Sequence, residues 1–183
     1  MSILTKYNEE VIPQLKQSLG VTNKHALPKM VKIVVHVGVG KRTKEANFLD
    51  HVRASLGRIT GQKPVDTVAK KSISNFKLRK GSVIGMMVTL RGERMYDFFE
   101  KMIAITMPRI PDFRGISKAS VDAQGNLHIG FKDHMPFPET RIEDSTDPHG
   151  LQVSVITNAA SKAKGLALFE ALGVPFKATE SKK

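Results

Sequence analysis

Gly38, Gly40, Lys41 and Thr43 stand together in HVGVGKRTK, residues 36–44, directly after a run of β-branched residues. Paired glycines followed by a lysine and a hydroxyl are the parts from which phosphate-binding loops are made. The spacing excludes two such loops. A Walker A loop needs a glycine five positions before its Gly-Lys pair, so that the backbone wraps the phosphates, and a hydroxyl directly after the lysine, to reach magnesium. Val35 occupies the first of these positions, and Arg42 separates Lys41 from Thr43. A dinucleotide loop fails at its third glycine, where Thr43 stands. What remains is a turn whose glycines supply positive φ. After it come three cations, Lys41, Arg42 and Lys44, near a helix start whose unpaired N–H groups favour anions. Such a turn can meet a phosphate without catalysing anything.

Other reactive constellations are scarce. The histidines, at 25, 36, 51, 128, 134 and 149, show no HExxH or related spacing, and no G-x-S-x-G nucleophile motif occurs. There is no cysteine, which removes disulfides and thiolate metal sites and gives no sign of an oxidising compartment. Glu143 and Asp144 are adjacent acids in a polar stretch, not a buried catalytic pair. No catalytic residue, metal or cofactor is therefore expected.

Charge is the stronger signal. Lys and Arg number 29 against 17 Asp and Glu, a net charge of +12, which favours polyanionic partners. From Glu10 to Glu45 no acid intervenes, and between His51 and Gly92 Asp66 is the only acid against nine cations. Lys70, Lys71, Lys77, Arg79 and Lys80 crowd one loop with Ser72, Ser74, Asn75 and Phe76, a mixture suited to phosphate, ribose and an unstacked base. Two readings of Phe76 stay open: a base-stacking ring, or the loop's own inward anchor. The sign reverses over 133–147, where Asp133, Glu139, Glu143, Asp144 and Asp147 face only Arg141. That run is either a solvated loop or a docking surface for a basic protein.

These residues need a scaffold. Leu4, Tyr7, Val11, Leu15 and Leu19 predict a helix stopped by Gly20, with Pro13 kinking it or delaying its start. Strands are expected at 30–37, 64–69, 83–90, 126–131 and 151–157, and helices over 48–59, from Gly92 to a stop at Pro108, and over 162–172. The basic stretch 70–82 has no helical stripe and reads as a long loop or hairpin tip. The mixture predicts an α+β fold, a two-layer sandwich with a largely antiparallel sheet and helices packed on one face. A single RNA-binding domain over 1–178 is expected, with 179–183 a frayed tail. The polar N-terminus is no signal peptide and no apolar run approaches membrane length, so a soluble cytosolic chain with no membrane partner is expected.

VGVG at the strand end, Gly61-Gln-Lys-Pro64, Lys70-Lys-Ser72 to Gly85, TLRGERM at 89–95 and PRIPDFRG at 108–115 together resemble one family, over roughly residues 3 to 177. It is bacterial large-subunit ribosomal protein five, the 5S rRNA-binding protein of the central protuberance. The resemblance implies a cytoplasmic, ribosomal, non-catalytic protein that grips 5S rRNA and adjoining 23S rRNA. It assigns 5S rRNA contact to Lys32, Gln62 and Thr89, with Gly38 in the strand-end motif and Lys63 and Arg91 as weaker neighbours. His36 departs from the family, which usually has Asn there. An imidazole keeps only some of an amide's donors and acceptors, so His36 is read either as an RNA contact or as a half-buried strand-end histidine touching only protein.

The resemblance also directs the basic loop, Lys70, Lys71, Ser72, Ser74, Asn75, Phe76, Lys77, Arg79 and Lys80, toward P-site tRNA. It implies an intersubunit bridge to small-subunit ribosomal protein thirteen through Asp112, Phe113, Arg114, Glu143 and Asp144, among other proteins of the central protuberance. Two rival classes are a nucleotide-using enzyme built on the glycine loop and a generic basic module for single-stranded RNA.

Overall fold

A computed structural model describes residues 3–40, 42, 45–141 and 147–177. Its sheet has five antiparallel strands in the order β2-β3-β1-β5-β4, with β1 Met30–Gly38, β2 Val65–Val68, β3 Val83–Leu90, β4 Leu127–Phe131 and β5 Leu151–Thr157. The helices are α1 Ile3–Lys6 and α2 Ile12–Leu19 in one continuous N-terminal helix, α3 Ala46–Thr60, α4 Glu93–Lys101 and α5 Lys162–Ala171. This is the α+β arrangement expected, and every expected strand and helix is present within a residue or two.

Strand alternation separates the two faces. In β1, Ile33, Val35 and Val37 are fully buried while Lys32, Val34 and His36 between them are partly exposed. In β3, Met86, Val88 and Leu90 are buried, and Met87 is exposed. The pairing of Asp66 with Met86 puts Asp66 on the covered side, where it meets Arg53 of α3 at 3.0 Å. The opposite face is open.

The chain divides into two compact units. One comprises residues 1–33, 90–129 and 154–183. Its core includes Val11, Leu15, Phe99, Met102, Leu127, Leu168 and Phe169, with the Phe99 and Phe169 rings 6.5 Å apart. The other comprises residues 34–89 and 130–153. There Val35, Val37, Val52, Leu56, Met86, Val88, Phe137 and Val153 are buried, and Phe131 and Phe137 lie 5.2 Å apart.

Both proline-bearing helices differ from expectation in the same way. A single π turn, Tyr7–Val11, precedes Pro13, and Ile12 N–H donates to Tyr7 O. A second, Met102–Thr106, precedes Pro108, and Met107 N–H donates to Met102 O. Proline lacks the N–H of a regular turn and its ring crowds the preceding carbonyls, so a wider turn just before it accommodates both defects. Pro13 therefore does not delay the helix, and Pro108 lies in a terminal 3-10 turn, Met107–Arg109, that still follows on from it.

Candidate nucleic-acid interface

The open face of β1 to β3 carries polar groups packed closely around Gly85. Gly85 lies opposite Thr67. A Cβ at Gly85 would stand 2.8 Å from Thr67 Oγ1, 2.8 Å from Val37 O and 3.0 Å from His36 Nε2. Glycine is required here for space, and its missing side chain lets His36 and Thr67 close in from either side. His36 is half-buried, two residues before the end of β1, on the same side of the strand as Lys32 and Val34.

Gln62 is held by the turn that ends α3. Gly61, at φ 66°, stops the helix in the left-handed conformation, and Thr60 Oγ1 donates to Leu56 O at 2.7 Å. Gln62 Nε2 then donates to Thr89 O at 3.3 Å. Two residues far apart in the chain are thus brought together, and the bond takes one of the amide's two hydrogens. Lys63 and Arg91 are exposed, and Lys32 is half-buried on β1. Gly38 is exposed at the end of that strand.

The basic stretch is a hydrogen-bonded hairpin tip between β2 and β3. Ala69 N–H donates to Ser82 O at 2.9 Å, Lys80 N–H to Ser72 Oγ at 2.9 Å, and Ile73 and Leu78 exchange backbone bonds of 3.0 and 3.1 Å. A 3-10 turn, Ser74–Phe76, closes it, with Lys77 at φ 51°. Lys70, Lys71, Ser72, Ser74, Asn75, Lys77, Arg79 and Lys80 are all exposed. Phe76 is 79% exposed, so it is not the loop's inward anchor.

The glycine turn after β1 differs from expectation. Neither Gly38 nor Gly40 has positive φ, and a Cβ at either would meet nothing within 4 Å. Arg42 is engaged by acids, Glu45 at 2.5 Å and Asp147 at 2.8 Å, and its guanidinium lies 3.9 Å from the centre of the Phe48 ring. These partners, led by the hydrogen bonds to Glu45 and then Asp147, hold Arg42 firmly protonated. Its charge is satisfied within the protein, so it contributes little to an anion site; Lys41 and Lys44 lie outside the described residues. Asp147, one acid of the 133–147 run, is likewise turned to an internal use. Of the residues expected to form a bridge, Asp112 and Arg114 are exposed, Phe113 is half-buried, and Asp112 has φ 54°. Glu143 and Asp144 lie outside the described residues.

Two polar clusters were not read from the sequence, one a local network around Asp122 that reaches Ser154 and the other drawn from three separate segments. Asp122 Oδ1 accepts from Gln124 N–H at 2.9 Å and Asn126 N–H at 2.8 Å, while Oδ2 accepts from Asn126 Nδ2 at 2.9 Å. His128 bridges Asp122 Oδ2 at 3.4 Å and Ser154 Oγ at 3.0 Å. Burial raises the Asp122 pKa, but its bonds to Asn126, His128 and Gln124 outweigh this and lower it to about 2. The second cluster is His51, His134 and His149, whose ligand atoms lie within 4.8 Å of one another.

Comparison with known proteins decides the family. A profile described as "Ribosomal protein L5" matches residues 23–79, and a second, describing the C-terminus of the same ribosomal family, matches residues 83–176. The chain belongs to the ribosomal protein L5 family. Large ribosomal subunit protein uL5 of Microcystis aeruginosa is 44% identical over 94% of this chain and 97% of its own length. The uL5 proteins of Trichormus variabilis and Halothermothrix orenii are 46% and 43% identical, covering 94% and 96% of this chain and 95% and 99% of their own. As a member of the L5 family it is a structural protein of the large ribosomal subunit, located in the ribosome in the cytoplasm, and not an enzyme. The nucleotide-using enzyme is set aside on that ground.

Proposed function

We propose that this L5-family chain binds 5S rRNA, with adjoining 23S rRNA, in the central protuberance, using the open face of β1 to β3. The observation that carries the reading is the arrangement around Gly85. His36 and Thr67, packed together over the buried Gly85 and followed along β3 by Thr89 with Gln62, gather hydrogen-bonding groups on one strand face, the kind of groups that ribose hydroxyls, phosphates and base edges use. Lys32, Lys63 and Arg91 supply the neutralising charge, and Gly38 keeps the strand end open. The exposed cations of the hairpin tip contact P-site tRNA, with Phe76 available to stack. Asp112, Phe113 and Arg114, with Glu143 and Asp144, form the bridge to small-subunit protein thirteen, beside other proteins of the central protuberance.

A competition assay at about 150 mM salt, where unspecific charge contacts weaken, tests the main reading. Labelled 5S rRNA should be displaced by unlabelled 5S rRNA and not by unrelated RNA of equal length. Equal displacement by both would replace the reading with a generic single-strand-binding module, which the exposed Phe76 among cations would then explain.

A further inference from the structure

Three imidazoles converge inside the second unit from three separate segments. His51 comes from the first half of α3, His134 from the turn after β4, and His149 from the segment leading into β5. His134 is fully buried, His149 nearly so, and His51 half-buried. The His134 and His149 rings stack at 4.0 Å and 16°, while His51 meets them edge-on, 6.1 Å from His134 at 74° and 5.8 Å from His149 at 86°.

We propose that His51, His134 and His149 form a binding site for a divalent transition-metal ion, with Zn2+ as the ion that fits best. Imidazole nitrogen suits Zn2+, and three histidines with a fourth position for water form a recurrent zinc coordination set. Nitrogens about 2.0–2.1 Å from a tetrahedral zinc lie about 3.3–3.4 Å from each other, so ligand atoms within 4.8 Å must draw together by up to about 1.5 Å, through rotation of the side chains. The stacked pair must splay, and a described bond between two of the histidines must yield. His149 N–H donates to His134 Nδ1 at 3.4 Å, near the limit for a hydrogen bond. Ligation through Nδ1 takes that lone pair directly, and ligation through Nε2 moves the ring proton onto Nδ1; either way this weak bond is exchanged for a metal bond. Bound metal would tie α3 to the loop before β5, a link made by side chains that no sequence spacing reveals.

The test uses the full chain, stripped of metal with a chelator and titrated with Zn2+ by calorimetry and with Co2+ by absorption. One equivalent should bind, Co2+ should show tetrahedral d–d bands, and Zn2+ should raise the melting temperature. His51→Gln, at the half-exposed corner, should weaken binding at least about tenfold. Absence of saturable binding, or a His51→Gln chain that binds as tightly as the original, overturns the site. Should that variant fail to fold, the unaltered chain decides. With nitrogen-labelled histidine and a magnetic cadmium isotope, one-bond coupling should appear at three imidazoles, those of His51, His134 and His149. No coupling, or coupling at His25, His36 or His128 instead, overturns it equally.

Discussion

Gln62 Nε2 donates to the backbone oxygen of Thr89 across 3.3 Å, which joins the turn after α3 to the end of β3. Gln62→Ala removes one partly buried hydrogen bond, at a cost of about 0.5–1.5 kcal/mol in stability. If the amide also contacts 5S rRNA, affinity should fall by about tenfold, as for loss of one good hydrogen bond. Urea melts and filter binding separate the two effects. Unchanged affinity would remove Gln62 from the interface and leave it a structural clip.

His36→Asn should hold or improve 5S rRNA affinity, because an amide offers two donors and an acceptor where a neutral imidazole offers one of each. A large loss of affinity would show that the ring makes a contact an amide cannot replace.

Gly85→Ala should destabilise by roughly 1–3 kcal/mol, since the new methyl meets a backbone oxygen and the Thr67 hydroxyl, each 2.8 Å away. Gly165→Ala should cost more, because a Cβ there lies 2.5 Å from Gly125 Cα, and backbone yields less readily than side chain. Thermal melts rank the two. A neutral Gly165→Ala would refute the close approach of these glycines.

Neutralising Lys77, Arg79 and Lys80 together should leave 5S rRNA binding nearly intact and speed P-site tRNA dissociation from reconstituted subunits. The salt slope of tRNA binding should fall by about one for each cation that met a phosphate. A severe loss of 5S rRNA binding would reassign the hairpin tip.

Asp122 gives a pH dependence with a definite sign. Its folded pKa of about 2 lies below the unfolded value of about 3.9, so its contribution to stability is present above the unfolded value and disappears as pH falls through the folded one. The stability difference between the original chain and Asp122→Asn, followed by urea melts, should shrink between about pH 4 and 2. A difference that does not change over that range would contradict the depressed pKa.

Much of the architecture was legible in local pattern. The alternation in β1 and the stripe from Phe48 to Ile59 each encode an element and its buried face, because side-chain period is a local property. Gly20 and Gly61 stop their helices in the left-handed conformation, as their positions implied. The effect of Pro13 and Pro108 was less legible. A proline's effect depends on whether the preceding turn can widen, and packing of the whole helix decides that.

The sequence by itself determined the strands and helices, the excess of positive charge, the basic hairpin and, through its motifs, the family. Only the tertiary structure decided what the side chains at those places do. Arg42 stands in a stretch that looks made for phosphate, yet Glu45 and Asp147 claim its charge. His36 stands near the end of its strand, yet only the fold shows that its ring, with the Thr67 hydroxyl, fills the space a side chain at Gly85 would need. His51, His134 and His149 share no spacing at all and meet only because α3 and the chain before β5 pack together. Charge pairing and ring convergence depend on distances in space, which residues far apart along a chain acquire only when it folds.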